Sequence, residues 1–371
     1  MEDKNTKFLN RTLKRVDPTM ARIFMPWILK HPKSMYRMMQ LARAYKKSRK
    51  IRGEELLKGT KVPPFMILSI TSNCNLKCMG CYAAATGTVC KKQAKDTLDL
   101  DQWMNIIQEA SELGVFGFII AGGEPFLMPN LLKLSKKFKD RLFLIFTNGT
   151  ILNDQDFKEL KRLRNTIILV SIEGDQILTD LRRGIGVYDK VISTINLLDS
   201  TGVISGISVT INRNNVKFWM NPKNIDNLID KGVRLAFLLE YIPVDNDIEL
   251  MLTNEESVEF RKMVLNYRET KQLFIIHSPG DEEYMGGCVS AGRGFAHVTP
   301  SGDLTPCPVS DIATHNLTKS TLKEGLKSQL FKIIRENEHL LETKGSPCAL
   351  FSHPNEVDAL AKQVKAYKTS V

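Results

Sequence analysis

The sequence predicts an α/β fold in which a parallel sheet is built from successive strand–helix repeats. From about residue 61 to residue 244, short apolar and β-branched runs alternate with segments of helical periodicity. The chain has 371 residues, of which 43% are hydrophobic, so it can bury a full core and form about two domains. Strands are expected at 65–70, 116–120, 142–146, 167–172, 206–211 and 235–239, with helices between them, for example at 101–113 and 187–200.

Residues 1–60 are predicted to form a basic helical segment ahead of the sheet. They contain 16 Lys and Arg against 5 Asp and Glu, so this segment carries the whole net charge of +11. Two interpretations remain open: a helical layer packed on the sheet, or an amphipathic patch on an anionic membrane surface. Nucleic acid is not the expected partner, because aromatic residues are not interleaved with the basic cluster.

The N-terminus has no uninterrupted apolar run that would make a signal peptide, and no stretch is long enough to span a bilayer. We therefore expect a cytoplasmic protein, with attachment to the membrane surface as one of the two interpretations of residues 1–60. In a reducing compartment, cysteine thiolates serve metals rather than disulfides.

Cys74, Cys78 and Cys81 follow the first predicted strand and are separated by three residues and then by two. One tight loop can turn all three thiolates toward a single metal centre. Three ligands suit a [4Fe–4S] cluster that leaves one iron open to a substrate. Zinc is the main alternative, but structural zinc takes four closed ligands. Seven cysteines cannot all form disulfides, and structural thiols clustered by chance are the remaining alternative.

The second strand is followed by Gly122, Gly123, Glu124 and Pro125. Paired glycines allow close approach of the backbone, and the carboxylate can accept hydrogen bonds from an ammonium group. With the cysteine loop, this GGEP sequence resembles the radical S-adenosylmethionine (radical SAM) superfamily. The resemblance implies a partial (β/α)6 TIM-like barrel, a [4Fe–4S] cluster that binds SAM, and a GGEP motif that grips the SAM amino group. In such barrels the chemistry lies at the carboxyl ends of the strands.

The resemblance implies further contacts with SAM after the third and fourth strands. The Thr147–Thr150 stretch resembles a turn common in the family, although Asn-Gly is also a frequent plain turn. Ser171 and Glu173 point to the same side of the fourth strand and correspond to a family Ser and Asp that contact SAM. Glu173 departs from the usual Asp by its longer side chain.

Three other positions are candidates for contacts with SAM. Arg183 corresponds to the family arginine that pairs with the SAM carboxylate, and a plain surface arginine is the alternative. Asn212, after the fifth strand, is a further candidate for SAM binding. Gly80 stands where the family often has an aromatic residue near the adenine, so either Tyr82 or the backbone alone is expected to hold that base.

Cys288, Cys307 and Cys348 resemble the SPASM/twitch extensions, in which a hairpin and a later helix hold an auxiliary [4Fe–4S] cluster. The hairpin is expected at residues 297–305. With three cysteines the shorter twitch form fits better, and the fourth iron is either open to substrate or bound by His353 or another side chain. Three buried structural thiols are the alternative. Cys90 has no partner pattern, and no role is predicted for it.

The sequence therefore divides into a basic helical segment (1–60), a radical SAM partial barrel (61–250), a linker helix (251–273) and a twitch-like α+β domain (274–371). We expect an enzyme that cleaves SAM to a 5′-deoxyadenosyl radical and takes hydrogen from a lipid-like, membrane-associated or peptide substrate. A reducing protein such as flavodoxin or ferredoxin is the implied partner. An iron–sulfur electron carrier without SAM chemistry is the alternative.

Overall fold

A computed structural model describes residues 22–24, 27–29, 33–89, 97–244, 247–343 and 345–369. Cys90 lies outside these ranges. The central feature is a ten-stranded sheet in which the first seven strands are parallel and adjacent in chain order. These strands are β1 (Phe65–Ser69), β2 (Gly117–Ala121), β3 (Leu142–Thr147), β4 (Thr166–Ser171), β5 (Ser205–Ile211), β6 (Val233–Glu240) and β7 (Phe274–Ser278).

The six predicted strands are confirmed, and the parallel sheet with its helices has the partial TIM-barrel architecture that the sequence predicted. The seventh strand, β7, was not predicted as part of this sheet. It pairs in parallel with β6, from Leu235 beside Phe274 to Leu239 beside Ser278. Because all seven strands run in one direction, their carboxyl ends meet at one edge of the sheet.

Helices separate the strands and cover the sheet. They are α1 (Lys33–Leu57), α2 (Tyr82–Ala85), α3 (Leu100–Glu112), α4 (Lys133–Lys137), α5 (Asp154–Leu160), α6 (Gln176–Arg183), α7 (Val187–Thr201), α8 (Val216–Met220), α9 (Pro222–Asp230), α10 (Asn254–Thr270), α11 (Leu322–Leu326), α12 (Gln329–Glu336), α13 (Ala349–Ser352) and α14 (Pro354–Gln363). The predicted polar helix α10 is capped by Thr253, whose side chain forms a capping box with Glu256.

The main core lies between the sheet and its helices. Trp103 of α3, Phe118 of β2 and Phe143 of β3 are fully buried there. Burial of such large side chains provides most of the driving force for folding. This packed layer fixes the sheet, so that the loops at the carboxyl edge stand on a rigid base.

The described part of the N-terminal segment packs on the body of the protein. Ile23, Phe24 and Trp27 are buried with Ile28 in a small cluster that includes Ile204 and Phe274. This contact favours the packed layer over the membrane patch, because these apolar side chains are already covered. In the part of the chain that the structure describes, no helix is long and apolar enough to cross a bilayer.

The C-terminal region joins the same sheet. Strand β8 (Phe295–Val298) pairs in parallel with the free edge of β1, and β9 (Asp303–Thr305) turns back against β8 as the predicted hairpin. Strand β11 (His315–Asn316) follows β9 at the end of the sheet, while β10 (Ile312–Ala313) and β12 (Tyr367–Lys368) form a separate pair. The hairpin that precedes Cys307 is therefore built directly onto the strand that precedes Cys74.

Candidate functional site

The loop that carries Cys74, Cys78 and Cys81 leaves the carboxyl end of β1, and all three thiols are free and half-buried. Backbone hydrogen bonds tie the start of this loop to the GGEP segment: Gly123 N donates to Thr71 O at 2.8 Å, and Glu124 N donates to Asn73 O at 2.8 Å. The predicted cysteine loop and the GGEP segment therefore meet where two neighbouring parallel strands, β1 and β2, end.

The two glycines are required by this contact between loops. A Cβ atom on Gly123 would lie 2.0 Å from Asn73 O, and one on Gly122 would lie 2.6 Å from Thr71 O. Gly122 also has a φ of +116°, which favours glycine. The sequence predicted that these glycines allow close approach of a ligand, whereas in the structure they admit the backbone of the cysteine loop.

Glu124 is almost fully buried and is occupied by donors of its own chain. Its carboxylate accepts hydrogen bonds from Thr147 Oγ1 at 2.7 Å, Asn148 N at 2.7 Å and Phe126 N at 3.1 Å. Burial raises the pKa of Glu124, and these hydrogen bonds oppose that rise. The carboxylate therefore fixes the turn after β3.

The turn after β3 also holds the cysteine loop in place. Asn148 Nδ2 donates to Asn75 Oδ1 at 2.8 Å, and Asn75 Nδ2 donates to Thr150 Oγ1 at 2.9 Å. Asn75 immediately follows Cys74, so this reciprocal pair fixes the first third of the loop. In the sequence, the Thr147–Thr150 stretch could equally be a plain Asn-Gly turn.

Glu173, after β4, is 1% exposed and neutralises two arginines. Its Oε1 lies 2.6 Å from Arg182 Nη1 and 2.6 Å from Arg183 Nη2. Its Oε2 accepts from Thr210 N at 3.3 Å. The longer side chain at this position therefore meets the end of α6, and the Arg183 side chain, only 10% exposed, is not a surface arginine.

The same two arginines reach the cysteine loop. Arg182 Nη2 donates to Gly80 O at 3.2 Å, and Met79 N donates to Arg182 O at 3.0 Å. Arg183 Nη1 lies 4.0 Å from Cys78 Sγ. Burial raises the pKa of Cys78, and the positive charges of Arg183 and Arg182 oppose that rise. Arg182 was missed in the sequence because nothing local distinguishes it from its neighbour.

A small pocket that is open to solvent lies beside the cysteine loop at the carboxyl edge of the sheet. Met79, Glu173, Arg182 and Asn212 line it together with Tyr241. Of the predicted SAM-binding residues, the pocket brings together Glu173 and Asn212. The half-buried Ser171 at the end of β4, together with Arg183 and Tyr82, is not part of its lining.

Tyr241, directly after β6, provides an aromatic ring beside Gly80. A Cβ atom on Gly80 would lie 2.7 Å from Tyr241 Cε2, and Gly80 has a φ of +64°. A larger residue at position 80 is therefore incompatible with this ring. The sequence predicted either Tyr82 or the backbone alone for this role, because Tyr241 is distant in the chain and its only signal was its place at a strand end.

Tyr82 is the first residue of α2 and follows Cys81 directly in the chain. Burial raises the pKa of its phenol well above the usual range, and the charges of Cys81 and Cys307 act in the same direction. One side chain is thus close to both sets of cysteines.

Cys288 and Cys307 are buried, Cys348 is half-buried, and all three are free. Burial raises the pKa of Cys288 to about 12, that of Cys348 to about 11, and that of Cys307 well above its ordinary value. The charges of Cys288 and Cys348 act on Cys307 in the same direction, and thiolates in such a buried site need a compensating cation, which a metal centre supplies.

A buried hydrogen-bonded chain links the two cysteine regions. His297 Nε2 lies 2.8 Å from Ser69 Oγ of β1, and its Nδ1 lies 2.7 Å from Thr305 Oγ1 of β9. Thr305 Oγ1 in turn donates to Cys307 O at 3.1 Å. Burial lowers the pKa of His297 to about 3, so the ring is neutral in the folded protein.

We expect His297 to make the stability of the protein depend on pH. In the unfolded chain the ring takes up a proton below a pKa of about 6.5, but the folded protein resists protonation down to about 3. Stability is therefore lost as the pH falls between these values. From pH 8 to pH 5.5, the free energy of unfolding of the wild type should fall by about 1.4 kcal/mol more than that of His297→Gln. Denaturant titration measures this difference, and parallel pH profiles would contradict the expectation.

The comparisons with known proteins agree with this site. The sequence model of the Radical SAM superfamily matches residues 68–220, which include the cysteine loop, the GGEP segment and Glu173. An AdoMet-dependent heme synthase of Methanosarcina barkeri is 23% identical over 309 residues, covering 76% of this chain and 87% of the relative. A PqqA peptide cyclase of Rhizobium meliloti is 26% identical over 294 residues, covering 74% of this chain and 72% of the relative.

Two solved structures share the fold. Streptococcus suis SuiB bound to the precursor peptide SuiA has a TM-score of 0.64 at 17% identity, covering 79% of this chain and 71% of that chain. Native anSMEcpe with bound AdoMet and a peptide has a TM-score of 0.58 at 16% identity, covering 81% of this chain and 97% of that chain.

Proteins of this superfamily bind a [4Fe–4S] cluster and SAM, SPASM relatives carry auxiliary clusters, and the cysteines for such cofactors are present here. Residues 68–220 thus match a Radical SAM domain, and the chain is similar over most of its length to radical SAM enzymes, among them SPASM/twitch-domain members.

Proposed function

We propose that Cys74, Cys78 and Cys81 hold the [4Fe–4S] cluster and that SAM binds beside them. The observation that carries this proposal is the fixation of one loop with three free thiols by hydrogen bonds from the ends of β2 and β3. When bound and reduced, the cluster and SAM supply a 5′-deoxyadenosyl radical that takes a hydrogen atom from a substrate.

The chain's own residues bind and orient SAM in this proposal. The pocket lined by Met79, Asn212 and Tyr241 receives the nucleoside, with the Tyr241 ring in place of the aromatic residue missing at position 80. Arg183, next to Cys78, lies within reach of a carboxylate at the cluster. Gly122 to Pro125 shape the wall of the site, with Glu124 acting through the turn at Asn148. We assign Ser171 to the rim of the SAM-binding pocket.

Cys288, Cys307 and Cys348 are proposed to hold the auxiliary cluster in a twitch-like region from residue 274 to residue 371. Residues 61–250 form the catalytic barrel and 251–273 the linker helix in this division. Tyr82 and the His297 chain lie between the two cysteine sets, which supports electron exchange between them. A flavodoxin or ferredoxin is the proposed source of the reducing electron.

A peptide is the substrate class that we favour. Two of the proteins to which this chain is similar are a PqqA peptide cyclase and SuiB, which was solved with its precursor peptide. A lipid-like substrate at a membrane surface is the second candidate, because Leu29, Tyr36 and Leu57 are exposed in the basic N-terminal segment. The burial of Trp27 against the body weakens that second candidate.

Replacing Cys74 by Ala tests the central proposal. Anaerobically reconstituted wild type should bind about eight irons and release 5′-deoxyadenosine from SAM under dithionite, because two cubane clusters are expected. The variant should keep about four irons and form no 5′-deoxyadenosine. Continued formation of 5′-deoxyadenosine by the variant would refute the assignment. With the wild type, separate pools of peptides and lipids then identify the substrate class as the one that incorporates a mass change.

A further inference from the structure

Two histidines and one glutamate meet on the surface of the C-terminal region. His339 Nε2 lies 3.0 Å from Glu356 Oε1, and His353 Nδ1 lies 3.4 Å from the same oxygen. The centroids of the two imidazole rings are 4.3 Å apart. One nitrogen or oxygen atom of each residue lies within 4.8 Å of the others. His339 and Glu356 are exposed and His353 is half-buried, so an ion from the solvent can reach all three.

The three side chains come from two separate segments of the chain. His339 begins the 3-10 helix His339–Leu341. His353 directly precedes α14 and Glu356 lies in its first turn, so these two residues, three positions apart, share one side of that helix. Helix α13, which ends directly before His353, packs beside the 3-10 helix. An ion bound here therefore joins residue 339 to the start of α14.

Glu356 stands at a position that closes a capping box elsewhere in this protein. At the starts of α3, α5, α10 and α11, the third helical residue returns its side chain to the backbone N–H of the cap. At the start of α14, His353 N instead donates to Leu350 O at 3.3 Å, and no side-chain cap forms. The Glu356 carboxylate is thus directed to two imidazole nitrogens rather than to its own helix.

The separations between these atoms are close to those of ligands around one small metal ion. Zinc takes histidine nitrogen and carboxylate oxygen at about 2.0–2.2 Å in a tetrahedron, which places neighbouring ligands roughly 3.3–3.6 Å apart. The observed 3.0 Å and 3.4 Å lie within a few tenths of an ångström of that range. Two imidazoles and one carboxylate suit zinc and leave its fourth position to water.

The local charge favours a cation, although the chain as a whole is basic. Glu336, Glu338 and Glu342 lie within three residues of His339 and are exposed, and no Lys or Arg occurs between residues 336 and 342. Carboxylates gathered around a site raise the local concentration of divalent cations.

We propose that His339, His353 and Glu356 bind one zinc ion, with water as the fourth ligand. The ion is a structural clip that fastens the first turn of α14 to the 3-10 helix at residue 339. The zinc site does not depend on whether the C-terminal cysteines hold an iron–sulfur cluster.

The clip stabilises two segments that carry or support cysteines. Cys348 directly precedes α13, and Leu341 O accepts a hydrogen bond from Cys288 N at 2.7 Å. The sequence left His353 as one possible ligand of the auxiliary iron, and the zinc site gives its Nδ1 a different partner.

The test uses the full chain, reconstituted anaerobically so that the cysteines carry their clusters, then incubated with zinc chloride and desalted. The wild type should retain about one zinc ion per chain. X-ray absorption at the zinc edge should show nitrogen and oxygen neighbours at about 2.0–2.1 Å and no sulfur at about 2.3 Å. A zinc shell made only of sulfur would overturn the proposal. Iron content, measured on the same samples, reports on the clusters separately.

Single substitutions identify the ligands. His339→Ala, His353→Ala and Glu356→Gln should each weaken zinc binding at least about 100-fold in competition with a chromophoric chelator and leave the iron content unchanged. Glu338→Gln removes an exposed neighbouring carboxylate and is the matched control, which should bind zinc as the wild type does. Equal zinc binding by the wild type and Glu356→Gln would mean a hydrogen-bonded cluster without an ion. Iron loss from His353→Ala with zinc retained would also overturn the proposal.

Hydrogen exchange tests the clip itself. With free zinc at about ten times its Kd, amide exchange through local opening of α14 should slow about tenfold in the wild type, because opening then requires release of the ion. The Glu356→Gln protein should show no such slowing. Equal exchange in the wild type with and without zinc would refute the role as a clip.

Discussion

Replacing Gly123 by Ala is expected to abolish iron binding by the Cys74 loop. The new Cβ atom would lie 2.0 Å from Asn73 O and 2.5 Å from Asn73 C, and neither backbone atom can move without shifting the cysteine that follows. A displacement of about 1 Å at a reacting centre costs roughly 100-fold in rate. We therefore expect SAM cleavage to fall at least about 100-fold and the SAM-site irons to be lost.

Gly53→Ala is the matched control for this substitution. Gly53 lies inside α1, and a Cβ atom there meets nothing within 4 Å. It should leave the iron content unchanged and stabilise the helix by about 0.5–1 kcal/mol. Iron analysis and 5′-deoxyadenosine assays on both variants provide the comparison. A Gly123→Ala protein with full iron content would show that the GGEP segment does not hold the cysteine loop.

Glu173→Gln should destabilise the folded protein by roughly 3–5 kcal/mol, because it removes a carboxylate that neutralises two buried arginines. The exposed fractions are 13% for the Arg182 side chain, 10% for Arg183 and 2% for Glu173. We also expect SAM cleavage to decrease, because Arg182 donates a hydrogen bond to Gly80 O in the cysteine loop. Denaturant unfolding under anaerobic conditions measures the stability.

Two further variants make this result specific. Glu54→Gln removes an exposed partner of Lys50 at 3.9 Å and should change stability by less than about 0.5 kcal/mol. Adding Arg182→Met to Glu173→Gln should recover part of the loss, because one unpaired guanidinium is then gone. Equal costs for the Glu173 and Glu54 substitutions would mean that the buried network carries no net stability.

The sequence predicted those parts of the site that depend on local pattern. Apolar runs placed six strands within a few residues, and the spacing of Cys74, Cys78 and Cys81 identified one loop. The GGEP motif was evident in the sequence. Only the structure shows why Gly123 must be a glycine, namely the close approach of the Asn73 backbone. A short motif does not reveal which backbone it accommodates.

The contacts that were missed join residues that are distant in the chain. Tyr241 meets Gly80 across the pocket, and Arg182 reaches the same loop from α6. Each depends on which strand ends are neighbours, and sequence periodicity does not specify this. The same reason explains β7, whose apolar run was assigned to the C-terminal region although it pairs with β6.

The parallel pairing of β8 with β1 sets an order of events during synthesis of the chain. Phe65 and its partner Phe295 are separated by about 230 residues, so one edge of β1 waits for its neighbour. At about 5–20 residues per second, that wait lasts on the order of tens of seconds on the ribosome. An unpaired edge strand invites association with other chains, and here it precedes a loop with three free thiols. The cysteine loop thus acquires its full support only after the C-terminal region has emerged.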